Sequence, residues 1–77
     1  MVRIENIQSN ANIISMDCYM EGQEEQHFYL ELDDTAWEII TNTLNEVNSY
    51  VAHAKHCIKQ YRTAGKALPN RTISMWY

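Results

Sequence analysis

The feature that most constrains this sequence is a series of apolar residues, alternately three and four positions apart, that runs from Trp37 to Tyr61. Such spacing puts the side chains on one face of an α-helix, and it is also the a/d spacing of a coiled coil. Thr35 and Glu38 fit a capping box at its start, and basic residues precede a glycine at its end. We therefore predict one long helix over residues 34–64. The predicted seam consists of Trp37, Ile40, Leu44, Val47, Val51, Ala54, Ile58 and Tyr61.

The weak part of this helix is its middle, where several Asn residues and a Ser are poor helix formers. A kink or break near Asn48 is therefore the alternative to a continuous helix. Thirty-one helical residues would span roughly 46 Å, whereas the strands predicted below span roughly 24–34 Å. An overhanging apolar seam favours a helix-mediated homodimer, in which antiparallel pairing would bring Glu38 and Glu46 to the basic half of the second copy.

Outside the helix, apolar and polar residues alternate with the period of β-strands. The predicted strands cover about 2–7, 12–21, 26–32 and 71–76. The fold class is therefore α+β, a single domain of residues 1–77 in which a small antiparallel sheet of β-β-β-α-β order packs against one long amphipathic helix. A right-handed crossover is expected to return the last strand parallel to the first or the third.

This order of elements is similar to the core of ribonuclease H-like domains, including the shortened versions found in some antitoxins. Ribonuclease H chemistry needs carboxylates on the first strand, the helix and the last strand to hold two metal ions. Residues 71–77 contain no carboxylate. We therefore predict no catalytic residue and no cofactor, and we expect that the protein is not an enzyme.

Soft metal ligands are the other chemical candidates. His53, His56 and Cys57 lie within about one helical turn, and His53 and Cys57 have the i, i+4 spacing of a chelating pair. The other soft ligands, Cys18 and His27, are predicted to point to opposite faces of the sheet. No metal site is therefore predicted, and Cys57 is interpreted as a small buried thiol beside the seam.

Charge is divided unevenly along the chain. Residues 1–52 hold all ten carboxylates and Arg3, whereas residues 53–77 hold five bases and no acid, and the net charge is −4. This division favours a protein partner with a basic surface and argues against direct nucleic-acid binding, which needs a broad basic surface. The predicted partner-binding patch consists of Glu21, Glu24, Glu25, Glu31, Asp33, Asp34 and Glu38.

The outward face of the sheet is a second predicted interface, because tyrosine and tryptophan are typical anchors of protein contacts. Its residues are Tyr19, His27, Tyr29 and Trp76, with Ile7 and Ile13 beside them. Ile73 and Met75 are predicted to face inward.

The resulting hypothesis is a non-catalytic protein-binding module, a homodimeric regulatory or inhibitory protein that contacts a basic partner surface through its acidic half. In size and charge it resembles small inhibitors from phages and mobile elements that occupy nucleic-acid-binding clefts. The alternative is an antitoxin-like or nucleic-acid-linked regulator that uses the basic C-terminal quarter. No apolar run is long enough to span a membrane and no signal peptide is evident, so a cytoplasmic location with reduced cysteines is expected.

Overall fold

The computed structural model describes residues 1–76, with the side chains of residues 23–25 outside that description. These residues form a five-stranded antiparallel sheet with one helix against it, which confirms the α+β prediction. The elements are β1 (Val2–Asn10), β2 (Ile13–Met20), β3 (Gln23–Asp33), β4 (Ile39–Asn42), α1 (Ser49–Thr63) and β5 (Thr72–Ser74). The strands lie in the order β4-β3-β2-β1-β5. In the part of the chain described, no helix has both the length and the apolar character needed to cross a bilayer.

The predicted helix over residues 34–64 is wrong in its first half, because α1 begins only at Ser49. Asn48 is the N-cap residue, with extended backbone angles (φ −94°, ψ −175°), and its Oδ1 accepts a hydrogen bond from the Val51 N–H at 3.0 Å. The predicted break near Asn48 is therefore where the helix starts. Residues before it form β4, which pairs with β3, so the order of elements is β-β-β-β-α-β.

Asp33 explains why the chain turns here instead of starting a helix. Its Oδ1 accepts hydrogen bonds from the N–H groups of Thr35 (2.7 Å) and Ala36 (2.8 Å), and its own N–H donates to the Glu38 carbonyl at 2.9 Å. Trp37 adopts a left-handed conformation (φ 60°) and completes the reversal. The Thr35–Glu38 capping box is therefore replaced by a hairpin turn whose side-chain acceptor is Asp33.

The predicted seam is not continuous, since its first four residues precede α1. Val51, Ala54 and Ile58 are fully buried against the sheet, whereas Val47 is 68% exposed in the loop before the helix. The remaining members are Trp37, Leu44 and Tyr61, which are half-buried, and Ile40, which is exposed on β4. A 15-residue helix spans about 22 Å, close to the length of the strands, so the overhang that favoured a helix-mediated homodimer is absent.

The core lies between α1 and one face of the sheet. Val2 and Ile4 from β1, the alternate residues of β2 and β3, and the buried residues of α1 form one cluster. Ile7 also belongs to it, so the prediction that Ile7 faces outward is wrong. The register of β1 shifts between Glu5 and Gln8, and Asn6 has a left-handed φ of 53°. This bulge changes the alternation and turns Ile7 toward the helix.

β5 runs antiparallel to β1, so the expected parallel return is wrong. The additional strand β4 reverses the chain once more, and α1 then connects β4 to β5 across the three strands between them. Val2 is paired with Ser74 and Ile4 with Thr72, which puts the even-numbered residues of β5 under the helix.

This pairing also reverses the predicted orientation of the C-terminal residues. Ile73 and Met75 face outward and are 50% and 65% exposed, whereas Trp76 is half-buried and stacks on His53 of α1 at a ring distance of 4.0 Å. Apolar residues occupy both alternating positions of this segment, and therefore only the pairing with β1 decides which of them face the core.

Candidate functional site

The face of the sheet opposite α1 carries the densest grouping of interacting polar and aromatic side chains in the described chain. We name it the outer-face cluster and define it as Arg3, Glu5, Asp17, Tyr19, His27 and Tyr29. These residues come from β1, β2 and β3, and each lies one position from a buried core residue. Their common face follows from strand alternation, because Val2, Ile4, Cys18 and Phe28 point the other way into the core.

One row of the cluster crosses three strands. Arg3 is paired with Tyr19, and Tyr19 with His27. The guanidinium carbon of Arg3 lies 4.6 Å from the centre of the Tyr19 ring, and the Tyr19 and His27 rings are 4.9 Å apart with an interplanar angle of 39°. Cation–π and aromatic contacts of this kind hold flat side chains in place on a sheet before any partner arrives.

The adjacent row of cross-strand neighbours contains two carboxylates, Glu5 and Asp17, which are paired across β1 and β2. Asp17 Oδ1 lies 3.0 Å from His27 Nε2, and its Oδ2 accepts a hydrogen bond from the Asn6 amide at 3.3 Å. Glu5 forms an ion pair with Arg3 at 2.6 Å. The side chains of Asp17 and Glu5 remain about one-third accessible, so they are oriented by the cluster while still reachable by an external cation.

Tyr29 connects this row to the next carboxylate. Its hydroxyl donates to Glu31 Oε2 at 3.0 Å. Loss of hydration, the hydrogen bond to Glu31 and the charges of Glu31 and Asp17 raise the pKa of Tyr29 above its usual value. The phenol is therefore neutral at physiological pH and presents a half-buried ring beside two carboxylates.

The predicted acidic patch is not one surface. Glu21 lies at the β2–β3 turn, where it forms an ion pair with the amino group of Met1 at 2.9 Å. Asp33 ends β3 on the opposite side, and Asp34 and Glu38 follow it; β3 is an eleven-residue strand that spans roughly 30 Å. Glu31 lies on the outer face of β3, two residues before Asp33. The side chains of Glu24 and Glu25, the other two residues predicted for this patch, lie outside the described part.

Asp34 and Asp33, two residues of the predicted acidic patch, are bound by other parts of the fold. Arg62 of α1 binds Asp34 through two hydrogen bonds, from Nε to Oδ1 (3.1 Å) and from Nη2 to Oδ2 (2.9 Å), and Nη2 also reaches Ser9. Asp33 is held by backbone N–H groups and by Asn12. These residues join the end of the helix to the β3–β4 turn, and therefore their charges stabilise the fold.

The basic C-terminal quarter is likewise dispersed. Lys55 and Lys59 line a shallow groove of about 280 Å³ beside Val47, and Arg71 lies at the β5 edge of the sheet. Arg62 is occupied by Asp34. Lys55 and Lys59 of α1 and Arg71 before β5 thus line different concavities and do not form the continuous basic surface that binding to a phosphate backbone requires.

The thiols and histidines considered above lie apart. Burial raises the pKa of the Cys18 thiol to about 12, and burial also raises that of Cys57. His53 stacks on Trp76. Within residues 1–76, leaving aside the side chains of 23–25, no three His, Cys, Asp or Glu residues gather closely enough to hold a metal ion.

Tyr19, His27 and Tyr29 lie where the sequence placed them, on the outward face, whereas Trp76 lies on the helix side. Asp17 was expected on this face among the aromatic residues, whereas Arg3 and Glu5 were not predicted to belong to the site. Strand alternation was the available signal, since Arg3 and Glu5 flank the inward Ile4. Searches with family models, against curated proteins and against solved structures found no match to this chain.

Proposed function

We propose that this chain is a non-catalytic protein-binding module that contacts a larger protein through the outer-face cluster. The observation that supports this proposal is the row Arg3–Tyr19–His27, in which three large side chains from three strands support one another on an accessible face. Tyrosine and arginine dominate the energetics of protein interfaces. Side chains already oriented in the free protein lose less conformational freedom when a partner binds.

The partner surface that best complements this face is basic. Asp17, Glu31 and Glu5 provide the carboxylates, and the half-buried Tyr19 and Tyr29 rings provide apolar contact area between them. A regulatory or inhibitory role, including that of a phage-derived inhibitor, follows if the covered basic surface is one that the partner uses for nucleic acid. The free cysteines Cys18 and Cys57 are consistent with a reducing cytoplasm.

Two other expectations have less support. A nucleic-acid-linked regulator requires a continuous basic surface, whereas Lys55 and Lys59 of α1 line one concavity and Arg71 lines another. A helix-mediated homodimer requires an uncovered apolar stripe, but Val51, Ala54 and Ile58 pack on the chain's own sheet. The outer face is therefore the surface on which the proposal rests.

The test compares two charge reversals of equal size. Asp17→Arg changes the outer-face cluster, and Glu46→Arg changes an exposed residue of the loop before α1. Both proteins and the wild type are immobilised, exposed to extract of the native host, and the captured proteins are quantified by mass spectrometry. Circular dichroism melts confirm that both variants are folded.

We expect a basic protein to be retained by the wild type and by Glu46→Arg. With Asp17→Arg its affinity should fall by about 10–30-fold, the effect of losing an interface anchor worth about 1.4–2 kcal/mol. Equal retention by all three proteins would refute the outer face as the interface. Recovery of nucleic acid by the wild type, with no protein enriched, would favour the alternative function.

A further inference from the structure

A second surface of the molecule is the free edge of β5. β5 pairs with β1 on one side, and in the described chain no strand pairs with its other side. The Glu21 N–H donates to the Met1 carbonyl. Because the backbone groups of successive residues point to opposite sides of a strand, the odd-numbered residues at the start of β1 hydrogen-bond to β2. The backbone groups of Val2 and Ile4 therefore hydrogen-bond to β5. The N–H and C=O of Ile73 therefore point to the open edge, where another strand can accept and donate hydrogen bonds.

The side chains at this edge have a definite pattern. Odd-numbered residues of the segment share the outer face with Arg3, which is paired with Ile73. Ile73 and Met75 are at least half exposed, and Arg71 continues the alternation two residues before Ile73. A shallow concavity of about 390 Å³ is lined by Arg3, Arg71, Thr72 and Ile73. A second, of about 150 Å³, shares Arg3 and Ile73 with it.

Charge indicates what fits this edge. Arg3 and Arg71 flank Ile73 in a protein whose net charge is −4, and none of the ion pairs found among the described residues includes Arg71. Antiparallel pairing of two β5 strands around Ile73 would set Arg71 of each copy opposite Met75 of the other, so that two positive charges would enter one small contact with no carboxylate opposite either of them. A β5 of three residues is only about 10 Å long, which offers little area to offset this unfavourable arrangement.

We propose that the β5 edge binds an extended acidic segment of a partner protein, which adds a sixth strand to the sheet. In the antiparallel arrangement the segment places apolar side chains opposite Met75 and Ile73 and a carboxylate opposite Arg71. Its pattern from the N-terminus is therefore apolar, any residue, apolar, any residue, acidic. This edge shares Arg3 with the outer-face cluster, but the inference rests on the open backbone groups of Ile73 and on Arg71, and it does not depend on the function proposed for the cluster.

The test uses a capped synthetic peptide with this pattern (Thr-Val-Thr-Val-Thr-Glu-Thr) and a matched peptide in which lysine replaces glutamate. Both are titrated into the ¹⁵N-labelled full chain, and amide shifts and exchange are followed by NMR. We expect the glutamate peptide to shift the Ile73 amide and to slow its exchange. Arg71→Glu should lower the affinity for the glutamate peptide by about fivefold and raise the affinity for the lysine peptide by a similar factor, which is the size of effect expected for an exposed ion pair.

Ile73→Pro provides a second variant, because it removes only the N–H that points away from β1 and proline is tolerated at sheet edges. It should abolish peptide binding, and the amide spectrum will show whether the fold is retained. Glu46→Arg, a charge reversal in the loop before α1, should leave peptide affinity unchanged. The proposal would be overturned if no binding is seen at millimolar peptide, or if Arg71→Glu binds both peptides with equal affinity. It would also be overturned if the Ile73 amide signal broadens with protein concentration in the absence of peptide, which would indicate that a second copy of the chain binds the edge.

Discussion

Val47 and Val51 provide a direct test of where the helix begins. They are consecutive members of the predicted seam, and a continuous helix would bury both equally. In the structure Val51 is fully buried in α1, and Val47 is 68% exposed before it. Val51→Ala removes two buried methyl groups, worth about 1.6 kcal/mol. The cavity adds up to about 1 kcal/mol, and the better helix propensity of alanine returns about 0.5 kcal/mol. The net loss is therefore about 1.5–2 kcal/mol.

The same substitution at Val47 should cost no more than about 0.5 kcal/mol, because only a third of that side chain is buried. For a domain of this size the Val51→Ala loss lowers Tm by roughly 6–15 °C. Urea unfolding followed by tryptophan fluorescence measures both variants, since Trp37 and Trp76 are half-buried. Equal losses of stability for the two variants, with unchanged m-values, would refute the helix start at Ser49 and restore the continuous seam.

Three further perturbations test the local structure. Asn48→Ala should destabilise the fold by about 1 kcal/mol in thermal melts, with Asn48→Ser near wild type, since both Asn and Ser cap helices; equal losses would argue against the cap. Arg62→Met and Asp34→Asn, combined in a double-mutant cycle, should show a coupling of about 1–2 kcal/mol, because the pair is bidentate and its side chains are only 35% and 17% exposed; additive effects would contradict it. Backbone N–H groups of Ala36 and Thr35 hold the pKa of Asp33 below its usual value. The contribution of the Asp33 carboxylate to stability is therefore fully present above the unfolded-state pKa of about 3.9, and it is lost as the pH falls through the lower pKa of the folded state. The stability advantage of wild type over Asp33→Asn in urea should therefore shrink with acid, and a difference that is constant with pH would exclude this account.

Local alternation predicted much of the fold. The first three strands and the outward positions of Tyr19, His27 and Tyr29 follow from apolar and polar residues alternating with period two. The register shift at Asn6 was not predictable in this way, because a bulge depends on how the two strands pair. The orientations of Ile73 and Trp76 were predicted wrongly, because only the pairing of β5 with β1 decides which of them faces the core.

The helix shows most clearly what sequence and tertiary structure each determined. By itself, the sequence determined that an apolar stripe recurs from Val51 to Ile58, that the Asn and Ser residues before it are poor helix formers, and that charge is divided along the chain. Tertiary structure decided that Ile39–Asn42 pairs with β3, because β3 has backbone groups to satisfy and Asp33 accepts the hydrogen bonds of a tight turn. Helical spacing over one or two turns does not exclude a strand, and only the neighbouring strand settles which partner the backbone groups find.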